Sequence, residues 1–177
     1  MKNIVSMPLA ITCMLGATGA AAADDKQALI DDAISAAPNT IAQNATIMDW
    51  AGNTLRKGSN GYTCFPTPPN LKGTAPMCMD GPWMAWADAW MNKKPFKASA
   101  VGTAYMLAGD GGASNIDPYA KGPTADNQWV VEGPHLMIIT PDASALDSIP
   151  TDPKNGGPYV MWKGTPYAHI MVPTADK

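Results

Sequence analysis

Histidine is nearly absent from this chain, with only His135 and His169 among 177 residues. Any imidazole chemistry must use one of those two side chains, and a His₃ or His₄ metal centre is excluded. Charge is sparse too: Asp, Glu, Lys and Arg make up 15% of residues, against about a quarter in an average domain. No run of lysine and arginine interleaves with aromatics, so neither a nucleic-acid surface nor a polybasic membrane patch is expected. Cysteine is limited to three residues without a CxxC pair, which removes the common thiolate zinc and redox motifs. Phenylalanine occurs twice, so aromatic packing falls to six tryptophans and five tyrosines.

What is present begins with an N-terminal export pattern. Lys2 precedes the moderately apolar "IVSMPLAITCMLGA", and "AAA" at 21–23 precedes the charged "DDK". This is the layout of a secretory signal peptide over 1–23, cleaved after Ala23. The stretch is too short and too diluted by Pro, Ser, Thr and Gly for a membrane span, and no later stretch approaches the ~20 apolar residues required. Cys13 invites a lipoprotein reading, but "AITC" is a poor acylation box. Removing 1–23 leaves a single exported domain over 24–177, periplasmic or secreted, with 11 basic and 15 acidic side chains. It also leaves Cys64 and Cys78, an even pair for which an oxidising compartment predicts a disulfide. The competing reading is a thiolate metal site, since "MCM" at 77–79 places soft sulfur together.

Seventeen prolines and sixteen glycines predict many turns, while 46% hydrophobic residues rule out disorder. "DDKQALIDDAISAAP" reads as a helix stopped by Pro38. "ATIMDW-AGN-TLRKG" reads as a hairpin, followed by a proline-rich excursion between Cys64 and Cys78. "GPWMAWADAWMNKKP" is a second helix, capped by Asp80, with Pro82 in its first turn and Trp83, Trp86 and Trp90 at helical spacing. That aromatic face suits packing on a sheet better than cofactor stacking. Residues 98–109 predict a strand, 110–127 a polar loop and 128–140 a long strand broken at Gly133-Pro134. "DASALDS" suggests a short helical turn, and 157–173 a closing hairpin about Lys163-Gly164. The sum is an α+β fold: an antiparallel β-sheet covered by one or two helices, loop-rich, with one disulfide.

The blocks "NGYTC", "WMAWADAW" and "MWKGTPYAHIMVP" resemble a family of uncharacterised secreted bacterial proteins, over most of the mature chain. The resemblance implies one exported domain and transfers no activity.

"GPHLMII" (133–139) and "YAHIMVP" (167–173) echo each other, each with a methionine two places after the histidine. Side chains in a strand alternate faces. Ala168, Ile170 and Val172 form a purely apolar face, expected to be the core, with Tyr167, His169 and Met171 on the other. If the two strands are neighbours, His135, Met137, His169 and Met171 form a nitrogen–thioether cluster suited to copper, above all Cu(I). Methionine also simply fills gaps beside aromatics, which leaves a structural role open. The partner expected is therefore a small molecule or a metal ion. The alternative is a small exported enzyme in which His135 or His169 acts as acid–base with Glu132 or Asp110, the 110–127 loop covering the pocket. Ser114 lacks a nucleophile-elbow context. Asp110, Asn115 and Asp117 lack the spacing of a calcium loop and suit turns instead.

Overall fold

The computed structural model describes residues 18–175. Residues 1–17, which carry most of the expected signal segment and Cys13, lie outside the described residues. Helix α1 (Thr18–Ile34) runs through the expected cleavage point. After Pro38 comes one turn of helix, α2 (Asn39–Ala42). Strands β1 (Thr46–Met48) and β2 (Thr54–Arg56) make the expected hairpin. Asp49 shapes its turn by accepting from Ala51 N–H and Asn53 N–H at 3.0 and 2.8 Å.

Strands β3 (Thr63–Phe65) and β4 (Met77–Met79) flank the proline-rich excursion. Cys64 and Cys78 are direct cross-strand partners and are joined by the disulfide. Helix α3 (Gly81–Met91) starts where Asp80 accepts from Trp83 N–H at 2.9 Å. Strand β5 (Gly102–Met106) follows, then the short β6 (Ala113–Ser114) and β7 (Trp129–Val130), which pair only with each other. Strand β8 (His135–Ile139), a 3-10 turn (Ala143–Leu146), β9 (Tyr159–Met161) and β10 (His169–Pro173) complete the chain. The single broken strand expected over 128–140 is thus two strands in two different sheets. The Gly133-Pro134 break is where the chain changes sheet.

Eight strands form one sheet in the order β2-β1-β3-β4-β5-β8-β10-β9. Every neighbouring pair is antiparallel except β1 and β3, which run parallel. The fold is α+β with a mixed, mostly antiparallel sheet and few helices. No helix among the described residues is long and apolar enough to cross a membrane.

The sheet carries two cores, one per face. On one side α1 packs Ile30, Ala33 and the following Ala36 and Ala37 against Ile47 and both cysteines. On the other, α3 lays Trp83 and Trp86 over Met79, Ala104, Met106, Met137 and Met171. Alternation explains the split within single strands: Cys78 points to α1 and Met79 to α3.

The same alternation corrects the expectation for the last strand. His169 and Met171 are buried under α3, while Ala168, Ile170 and Val172, expected as core, are half-buried. Both faces of β10 are apolar enough to be buried. The tryptophans of α3 cover the face that carries the histidine, and among the described residues Ile170 and Val172 belong to neither helix-covered core.

Candidate functional site

A cavity of about 280 Å³ lies between α3, the sheet and the loop after Asp110. Its floor is thioether: Met106, Met137, Met171 and Met161 come from four adjacent strands, and Met77 joins from β4. Its wall is indole, from Trp83, Trp86, Trp90 and Trp162. His169 is the imidazole in the lining, and Asp110 and Asp117 are its carboxylates. Leu71 and Ala75, from the excursion stapled by the disulfide, close another side.

Strand register places the sequence-predicted residues. β8 and β10 are hydrogen-bonded neighbours, and Met137 stands directly opposite Met171. Direct cross-strand Cβ atoms lie ~5 Å apart, within reach of two thioethers. His169 sits two residues before Met171 on the same face. His135 pairs instead with Pro173, four residues further along β10 than His169. At ~3.4 Å per residue this separates the two levels by about 14 Å along the strands. The structure therefore brings His169, Met137 and Met171 to the cavity, and His135 is absent from the lining.

His169 is held tightly. Its Nδ1 bonds Tyr167 O at 3.0 Å, which makes Nδ1–H the donor and leaves the Nε2 lone pair free of a proton. Three indoles, of Trp83, Trp86 and Trp162, meet the ring edge-to-face at 5.0 to 5.6 Å between centroids. Burial in this apolar box pushes the imidazole down to about 4, opposed by the Tyr167 carbonyl and reinforced by the charge of His135. The ring is neutral throughout the physiological range.

His135 uses the same local device, Nδ1 to Gly133 O at 2.7 Å, and belongs to a buried polar group beside the cavity. There Tyr159 Oη donates to Glu132 Oε1 at 2.8 Å, and Asp110 Oδ1 accepts from Glu132 N–H and Gly112 N–H at 2.9 and 3.0 Å. Burial drives the Asp110 carboxyl above its ordinary value; those amide bonds and the charge of His135 pull the other way. Burial and the Glu132 carboxylate both drive the Tyr159 phenol up. Nε2 of His135 is buried with no hydrogen-bond partner among the described residues.

The loop residues weighed from the sequence have structural employment. Ser114 Oγ donates to Asn127 O at 2.6 Å and accepts from Ile116 N–H and Asp117 N–H, so it holds a turn. Asn115 donates from Nδ2 to Gln128 Oε1 and Thr151 O, and Asp117 accepts from Tyr119 N–H. Among the described residues, no three His, Cys, Asp or Glu side chains gather in a way that could hold a metal ion.

Sequence reading missed Met106, Met161 and Trp162 as site residues. Trp162 has φ +56°, rare for a bulky side chain, and is pinned from two directions. Its N–H donates to Asn115 O at 2.8 Å and its indole N–H to Ser114 O at 2.6 Å. The adjoining Gly164 in "WKGT" marks a turn, but nothing local signals that Trp162 folds back over His169. Nε1 of Trp83 and Nε1 of Trp86 are buried without a hydrogen-bond partner among the described residues, a state that costs about 1–3 kcal/mol per donor.

Fold and site together define a disulfide-bonded α+β domain with a thioether- and indole-lined cavity. No family model matches the chain, and neither the curated proteins nor the solved structures contain a significant match to it.

Proposed function

We propose that this chain is an exported binding protein that captures a soft metal ion, Cu(I) fitting best, through His169 and the thioethers of Met137 and Met171. One observation carries the reading: beside two carboxylates the cavity gathers one imidazole and five thioethers, with the His169–Met171–Met137 trio on adjoining positions of one sheet face. Imidazole with thioether favours Cu(I) over hard ions that want oxygen. A ligating histidine needs its other ring nitrogen fixed, and the Tyr167 carbonyl does this for His169. Export is supported by the N-terminal pattern and by the Cys64–Cys78 disulfide, a bond typical of oxidising compartments.

Competition with a chromophoric Cu(I) chelator tests the proposal. The expected result is about one Cu(I) per chain, with His169→Ala and the near-isosteric Met171→Leu each weakening affinity by roughly tenfold or more, the loss expected when a ligand is removed. A His135→Ala/His169→Ala double variant that binds as tightly as wild type would end the metal reading.

A second reading, an enzyme with an acid–base group, is favoured by one observation: Asp110 lines the cavity with a carboxyl driven up by burial. In that reading Asp110, backed by Glu132 and Tyr159, moves the proton. Its signature is a turnover that Asp110→Asn abolishes while Cu(I) affinity stays unchanged.

A further inference from the structure

The side chains lining the cavity offer a ligand acceptors and negative charge, and no donors. Four lining side chains spend their N–H or O–H inside the protein: Trp90 donates to Pro118 O at 3.0 Å, Trp162 to Ser114 O at 2.6 Å, Ser114 Oγ to Asn127 O at 2.6 Å and His169 Nδ1 to Tyr167 O at 3.0 Å. The indole nitrogens of Trp83 and Trp86 are sealed away from any ligand. What remains is the carboxylates of Asp110 and Asp117, the Nε2 lone pair of His169 and five thioethers. Asp110 spends only Oδ1, on the N–H groups of Glu132 and Gly112. Its Oδ2 has no hydrogen-bond partner among the described residues and, unlike the two sealed nitrogens, keeps accessible surface. No Lys or Arg lines the cavity, and among the described residues neither carboxylate has one within ion-pair distance.

This lining sets the charge of a ligand and how strongly it can be hydrated. An anion, or a molecule rich in acceptors, would meet lone pairs and carboxylates with no side-chain donor to offset them. A hard metal cation would lack its oxygen shell, since no three His, Cys, Asp or Glu side chains gather among the described residues. A primary ammonium ion would bring three strongly hydrated N–H donors against walls of sulfur and indole, which do not replace the lost water. An alkylated ammonium ion is apolar on its surface and attracted to aromatic rings, indole most of all. Four indoles line the cavity, and its volume of about 280 Å³, at the small end of ligand pockets, suits such a head group. We propose that the cavity binds a small alkylated ammonium ion, its charge matched by the Asp110 carboxylate and its alkyl groups packed on indole and thioether. A cation there favours the charged form of Asp110, against the burial that raises this carboxyl. The proposal does not rest on the Cu(I) reading: it uses Asp110 and the apolar walls, whereas the metal uses His169, Met137 and Met171.

The test titrates the metal-free protein with two probes of the same shape, followed by tryptophan fluorescence. One is choline; the other is 3,3-dimethylbutan-1-ol, in which a neutral carbon replaces the charged nitrogen. Low salt and about pH 8 favour the ionised Asp110 carboxyl. Choline should bind roughly tenfold or more tightly than its neutral twin, the gain expected when indoles and a carboxylate both attract the charge. Asp110→Asn keeps the Oδ1 acceptor for Glu132 and Gly112 and removes the charge. It should weaken choline by about fivefold or more and leave the neutral probe within about twofold. Equal affinity for the two probes, no measurable binding of choline, or an Asp110→Asn protein that holds choline as tightly as wild type overturns the proposal. If that variant fails to fold, the comparison of probes on the unaltered chain still decides. Failure of the Cu(I) titration would leave the choline result standing, and the reverse holds too, so the two readings fail separately.

Discussion

His169 illustrates how a single side chain couples burial to pH. Its folded-state value of about 4 lies below the ordinary 6.5, so between those values the unfolded chain binds a proton that the folded chain refuses. Its contribution to stability is complete above pH 6.5 and is lost as pH falls toward 4, about 3 kcal/mol at full extent. Asp110 acts in the opposite direction, because a raised carboxyl binds its proton earlier in the folded state. The expected outcome is therefore differential: in denaturant titrations of metal-free protein, His169→Gln flattens the acid slope between pH 6.5 and 4 relative to wild type. Tyr159 offers a second test. Removing its hydroxyl takes from the buried Glu132 a donor at 2.8 Å, so Tyr159→Phe should cost about 1–3 kcal/mol in the same assay.

Among the elements, α3 and the loop after Asp110 place the indole wall. Asp80 does more than cap the helix. Its Oδ1 accepts from Trp83 N–H, and its Oδ2 accepts from Thr103 N–H and Oγ1–H at 2.7 and 2.9 Å, which ties the start of α3 to β5. Asp80→Ala should lower the unfolding free energy by about 2 kcal/mol, the upper end for a lost cap, and should weaken Cu(I) binding because Trp83, packed on His169, loses its anchor. Gly112 plays the corresponding part in the loop. At φ +97° its backbone suits glycine, and an added Cβ would meet Trp129 Nε1 at 2.3 Å. Gly112→Ala should cost about 1–3 kcal/mol by overpacking, and the Trp129 indole resonance should move. Asp80 and Pro82 marked this helix in the sequence, and Gly112 marked a turn. The contacts with Thr103 and Trp129 did not show, since each joins segments that no local pattern connects.

For the molecule as a whole, the disulfide staples the excursion that brings Leu71, Ala75 and Met77 to the cavity. Replacing both cysteines by alanine should lower stability by about 3 kcal/mol, read from the denaturant midpoint, and should weaken Cu(I) binding. Wild-type affinity in that variant would detach the excursion from the site.

Composition and short-range pattern sufficed for the α+β class, the Cys64–Cys78 bond, both hairpins and the capped tryptophan helix. Each depends on residues close in sequence or on the pair left once Cys13 is assigned to the expected signal segment. Local pattern also put His135 with Met137 and His169 with Met171 on one face of each strand, but left the adjacency of β8 and β10 as a condition that the sheet register met. Tertiary structure alone decided that this face is the buried one, that His135 stands four residues away from His169, and that Met106, Met161 and Trp162 complete the cavity. The physical reason is that alternation along a strand defines two faces without ranking them. In β10 both faces are apolar, and the ranking came from α3, a helix distant in sequence whose tryptophans cover His169 and Met171.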